Sequence, residues 1–61
     1  MKRRELEKQL KKLGWEFKRQ GGSHEIWSNG ELSQPIPRHS EIKEHLAKGI
    51  LRIASENKGE K

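Results

Sequence analysis

Among side chains that take or give a proton near neutral pH, this 61-residue chain has three His and no Cys. His24 directly follows Gly21-Gly22-Ser23, and Lys18 and Arg19 lie just upstream. Glycines leave backbone N–H groups open to an anion, Ser23 adds a hydroxyl, and the two cations add fixed positive charge. Phosphate suits such a set, and Gly22, Ser23, Lys18 and Arg19 are candidate ligands for it. An imidazole beside a phosphate permits RNA cleavage. Neutral His24 removes the proton of a ribose 2′-hydroxyl, which then attacks the adjacent phosphorus. That reaction needs charge stabilisation but neither a metal nor a protein nucleophile. Gly-Ser-His is a short pattern that occurs often by chance, and a lone histidine at the start of a strand is more often a surface or rim residue than a catalyst.

The remaining reactive inventory is short. Without cysteine there are no disulfides, thiolate metal sites or thiol nucleophiles. Metal motifs built on two His at i, i+4 have no counterpart, and His39 and His45, six apart, cannot share a helix face. Neither a metal nor a cofactor is expected. Arg38 is a candidate phosphate clamp. His39 is a candidate for a second proton transfer or, alternatively, a residue that fixes the loop before the last helix. His45 reads as a solvated helix residue.

Elements able to position these residues are legible from hydrophobic periodicity. Leu6, Leu10 and Leu13 recur at i, i+4 and i+7, which predicts a helix from about Arg3 to Leu13 ended by Gly14. From Trp15 to Arg19, apolar and polar residues alternate at the strand period, and Gly21-Gly22-Ser23 breaks the run. A second run, His24 to Ser28, meets Asn29-Gly30, a strong hairpin signal, and a third run extends from Glu31 to Ile36. Pro35 and Pro37 mark that third strand as an edge. Either a two-residue turn or a three-residue loop with a bulge fits Asn29-Gly30, and the choice decides which face Ile26 and Trp27 occupy. Trp15, Phe17 and Ile26 are expected in the core. Ile42, Leu46, Ile50, Ile53 and Ala54 predict a second helix, from between Glu41 and Glu44 to about Ser55, with Ser40 as N-cap. Gly49 inside it hints at close packing or a late start. Residues 56–61 are expected to be a loose tail.

Composition sets the outer bounds. Fourteen Lys/Arg against nine Asp/Glu give net +5, and only 28% of residues are hydrophobic. A chain this short has room for one small core, so the expectation is a single domain, 1–61, ordered over about 3–55. Six Lys/Arg against two Glu fall in the first 13 residues, which concentrates the excess charge on the first helix. Its polar face, Arg3, Arg4, Lys8, Lys11 and Lys12, is either a solvated face or a set of phosphate contacts. No apolar run approaches the roughly 18 residues of a membrane span, and Met1-Lys2-Arg3-Arg4 runs into charge, so a cytoplasmic location is expected.

Gly14-Trp15-Glu16-Phe17-Lys18-Arg19-Gln20-Gly21-Gly22-Ser23-His24, followed thirteen residues later by Pro37-Arg38-His39, resembles the HicA family of mRNA interferase toxins. The resemblance covers about residues 5–55. It implies a toxin of a toxin–antitoxin system, an endoribonuclease that cleaves mRNA and so blocks translation, and a HicB-type antitoxin as protein partner. It also implies an α+β fold like the double-stranded-RNA-binding domain. In that α-β-β-β-α order, both helices lie on one face of a three-stranded antiparallel sheet and the other face stays open. His24 takes the family's catalytic position, framed by Gly22 and Ser23, with Arg19 at the upstream basic position. Trp27, if it stands on the open face, is expected to contact the antitoxin. Ala47-Lys48-Gly49-Ile50 and Pro35 depart from the commoner family pattern without touching His24. The alternative is a non-catalytic RNA-binding or protein-interaction module of the same fold. A helix-turn-helix reading is disfavoured, because strand signals separate the two helices.

Overall fold

A computed structural model describes residues 1–59. Helix α1 (Arg3–Lys12) is followed by strands β1 (Glu16–Gly21), β2 (His24–Ser28) and β3 (Ser33–Pro37), then helix α2 (Glu44–Glu56). The strands form one antiparallel sheet in the order β1-β2-β3. This is the expected α-β-β-β-α arrangement, and it is consistent with a double-stranded-RNA-binding-domain-like fold.

Helix α1 ends as its glycine requires. Gly14 takes φ +86°, its N–H bonds to Lys11 O at 3.0 Å, and Trp15 N–H reaches back to Leu10 O at 2.9 Å. These are the two bonds of a Schellman cap, and they carry the chain straight into the core at Trp15. The start of α1 has no side-chain cap. Its first N–H is satisfied from afar, by Ser40 O at 3.0 Å, beside an isolated bridge between Lys2 and Glu41. That contact fastens the helix start to the β3–α2 loop. Ser40 is therefore not the N-cap of α2. Lys43 holds that position, without a side-chain cap.

The core comprises Leu6 and Leu10 of α1, Trp15, Trp27 and Ile36 from the strand region, Ile42, and Ala47, Ile50 and Ala54 of α2. Trp15 donates its indole N–H to Ala54 O (3.2 Å) and Asn57 O (3.0 Å), so the largest buried ring also has its polar atom satisfied. Gln34 is buried and reaches Ile50 O at 3.4 Å.

Several expectations need correction. Phe17 is 50% exposed, set edge-on to Trp27 with ring centroids 6.5 Å apart, and Ile26 is only half-buried. Phe17 pairs with Trp27 but stands on the edge strand β1, and Ile26 alternates with the buried Trp27 and so takes the other face of the sheet. Trp27 is 2% exposed, so it is a core residue and not an open-face contact for an antitoxin or a base. The β2–β3 connection is neither of the expected turns. Ser28 pairs with Ser33, leaving a four-residue loop, 29–32. Asn29 organises that loop, its Oδ1 accepting from Glu31 N at 2.8 Å and Leu32 N at 2.7 Å.

On α2, Leu46 and Ile53 are exposed and Ala47 takes the buried place, because the helix turns its 47-50-54 face inward. A Cβ on Gly49 would meet nothing within 4 Å, so close packing does not explain it. Of the expected tail, Glu56 still belongs to α2. Asn57 O accepts from Trp15 and from Asn29 Nδ2 (2.7 Å), and Gly59 N–H bonds to Leu13 O at 2.9 Å. Positions 60 and 61 lie outside the described residues.

Candidate nucleic-acid interface

Local backbone chemistry puts His24 where it is. Gly21 ends β1 and His24 begins β2, so Gly22-Ser23 is a two-residue hairpin turn. Gly22 has φ +63° and no described non-glycine residue, Ser23 included, has positive φ, the sign pattern of a II′ turn, which calls for glycine at its first central position. The turn leaves His24 exposed. Its partners in the sheet are Gly21, which has no side chain, and Pro37. Ser23 Oγ lies 3.2 Å from His24 Nδ1. In the tautomer where Nδ1–H donates to that oxygen, Nε2 carries the lone pair and faces no protein partner among the described residues.

Strand period sorts the neighbours. His24 and Ile26 share the face without helices, as do Gly21 and Arg19, their cross-strand partners. A Cβ on Gly21 would meet Ile26 Cγ1 at 3.3 Å, which places both on that face. Arg19 is thus diagonal to His24, a separation of about 7–8 Å that a long side chain spans. Arg38 follows Pro37, so it leaves the sheet at the His24 end. His39 comes next, exposed, and lines a cleft of about 570 Å³ with Pro37, Ile42 and Leu46.

Not every expected ligand gathers there. Lys18 lines a cleft at the opposite end of the sheet, with Ser28, Asn29 and Gly30. Lys11 and Lys12 sit at the C-terminal end of α1, whereas its N-terminal end is the one fastened to Ser40 near Arg38. Lys8 is midway, in the wall of one cleft with Lys2 and Arg4 and of another with Lys12. Arg3 does internal work instead. Its guanidinium donates to Arg38 O at 3.2 Å, pairs with Glu7 at 3.2 Å and lies 3.8 Å from Glu25, whose other oxygen accepts from Trp27 Nε1 at 3.1 Å.

Two residues missed in the sequence come to this end of the molecule. Lys2 and Ser40 line a groove of about 320 Å³ with Arg3, Arg4 and Arg38. The early Lys/Arg cluster pointed at Lys2, but residue 2 comes beside residue 40 through long-range contacts, the Lys2–Glu41 bridge and the Arg3 N–Ser40 O bond. Among the described residues, no three His, Asp or Glu converge on a point able to hold a metal ion, and no helix is long and apolar enough to cross a membrane.

The family model for the HicA toxin of bacterial toxin–antitoxin systems matches residues 3–55, from the first residue of α1 to the last turn of α2. The chain belongs to the HicA toxin family. Searches of curated proteins and of solved structures return no match. Membership makes the chain the toxin of a toxin–antitoxin pair, and the matched span includes the Gly21–His24 turn, the Pro37-Arg38-His39 segment and both helices. For a HicA-family toxin the open sheet face around the exposed His24 and Arg19, with Arg38 just past its end, is the candidate working surface.

Proposed function

We propose that this HicA-family toxin is a metal-independent endoribonuclease that cuts mRNA in the cytoplasm and so blocks translation. His24 Nε2 takes the proton as the ribose 2′-oxygen attacks phosphorus. The P–O5′ bond breaks, a 2′,3′-cyclic phosphate remains on one fragment, and the departing 5′-oxygen takes up a proton from His39, a lysine or water. Gly22, Ser23 and Arg19 hold the phosphate, Arg38 adds charge at the same end, and Lys8, Lys11 and Lys12 supply affinity that does not depend on sequence. Lys18, at the far end of the sheet, joins that second group rather than the reacting phosphate. No metal enters because the nucleophile belongs to the RNA.

The observation that carries this reading is an exposed His24 whose Nδ1 is held by Ser23 at 3.2 Å beside a side-chain-free Gly21. A defined RNA incubated with the native chain in EDTA is expected to yield fragments ending in 2′,3′-cyclic phosphate and 5′-hydroxyl, while His24→Ala leaves it intact. Equal cutting by both proteins removes His24 from the mechanism. Binding without cutting by the native chain favours a non-catalytic RNA-binding module.

Neutralisation falls to a HicB-type antitoxin. An acidic partner surface suits a +5 chain, since opposite charge speeds encounter and covers the RNA-binding side. A neighbouring reading frame that encodes a small acidic protein is the expected genetic sign.

A further inference from the structure

We propose that the groove between the start of α1 and the β3–α2 loop is a second phosphate subsite, taking the phosphodiester next to the one at His24 on the same RNA strand. The identity of the strand rests on the endoribonuclease reading; the anion site itself rests on the groove.

Its lining is Lys2, Arg3, Arg4, Arg38 and Ser40, four cations and a hydroxyl with no carboxylate. The other clefts described each have at least one Glu in the wall, Glu5 and Glu44, Glu41, Glu5, or Glu16. Arg3 shares its charge with Glu7 and Glu25, whereas Lys2, Arg4 and Arg38 form no side-chain ion pair among the described residues. Three uncompensated cations converging on one concave surface concentrate the positive field there, and a phosphodiester is the anion that guanidinium, ammonium and hydroxyl donors hold together.

The groove is also prebuilt. Arg3 N–H bonds to Ser40 O at 3.0 Å, Arg3 Nη1 to Arg38 O at 3.2 Å, and Lys2 bridges Glu41, so its two walls are tied before any ligand arrives. Position links it to the first site. One cross-strand step of about 5 Å from His24 to Pro37 and one chain step of about 3.8 Å lead along the backbone to Arg38, in the wall of the groove.

Dye-labelled 2′-O-methyl oligoribonucleotides of two, three and five residues, which lack the attacking hydroxyl, test this by fluorescence anisotropy. Native affinity is expected to rise from the two-residue to the longer probes. In Lys2→Ala/Arg4→Ala the longer probes lose about tenfold, and the slope of log affinity against log salt falls by about 0.7, the value for one phosphate on a single strand. Arg4→Gln alone, at an exposed side chain, moves both readings the same way by less, and circular dichroism checks that both variants stay folded. Unchanged affinity, or an equal loss at every length, overturns the subsite. Failure of the native chain to cut unmodified RNA, together with the length-dependent loss, keeps the subsite and removes the nuclease reading. Cutting with an unchanged length profile does the reverse.

Discussion

Ser23 Oγ lies 3.2 Å from His24 Nδ1, so the nitrogen nearest the turn is occupied and Nε2 is left for substrate. His24→Ala is therefore expected to slow cleavage of a defined RNA by about 10²–10⁴-fold, the range for a positioned proton-transfer group. Ser23→Ala removes the orienting hydrogen bond and the hydroxyl's contact to the phosphate, about 1 kcal/mol each and together roughly 30-fold in rate. Single-turnover cleavage of one labelled RNA by the three proteins checks both, and a Ser23→Ala loss deeper than that of His24→Ala would give Ser23 a role beyond orientation and phosphate contact.

Two glycines should respond to alanine by different physics. At Gly22 a Cβ meets nothing within 4 Å, so only the positive φ is at stake and Gly22→Ala is expected to cost about 1–2 kcal/mol. Gly14 combines φ +86° with a backbone approach in which a Cβ would stand 2.7 Å from Gly59 Cα. Gly14→Ala must also displace the segment that bonds Gly59 to Leu13, so its Tm should fall further. Equal Tm values for the two variants would show that the Gly14–Gly59 approach has no weight.

Trp27 tests the assignment of that ring to the core. Trp→Ala in a core costs about 3–5 kcal/mol, comparable with the whole stability of a domain this small. Trp27→Ala is expected to unfold by far-UV circular dichroism at 25 °C. A folded variant that lost antitoxin binding alone would return Trp27 to the surface.

Asn29 ties its own loop and the residue after α2 together. Asn29→Ala removes three hydrogen bonds, to Glu31, Leu32 and Asn57, and is expected to destabilise by about 1–3 kcal/mol. Asn29→Asp keeps the acceptor for the loop and loses only the donor to Asn57, so urea midpoints should order native, Asn29→Asp, Asn29→Ala. The opposite order of the variants would detach the loop from the end of α2.

With so few apolar residues the free toxin should be only marginally stable, and an antitoxin that binds only its folded form raises Tm by mass action. At a hundredfold excess over Kd the gain is about 2.7 kcal/mol. Melts of the toxin alone and in complex should separate by several degrees, and superimposed curves would contradict binding to the native state.

Much of the frame was legible because it depends on local chemistry. Leu6 and Leu10 at helical spacing, Gly14 as a left-handed cap, and glycine at the first centre of a two-residue turn state their structural needs within a few residues, and each stands where periodicity and turn chemistry put it. His24 was conspicuous for the same reason. Phe17 and Ile26 were misplaced and the face of Trp27 stayed open, because the edge position of β1 and the length of the β2–β3 loop are set by strand pairing and not by the local alternation of residue types.

On its own, the order of residues determined the five elements, the family resemblance and the one histidine suited to proton transfer, since these rest on period, backbone preference and ionisable type. Tertiary structure alone decided which cations share an end with His24. Lys2 meets Glu41 and Arg3 meets Ser40 across some forty residues, turning one end of α1 toward Arg38 and leaving Lys11 and Lys12 at the other. Convergence of that kind comes from packing two helices on one sheet, and no local pattern encodes it.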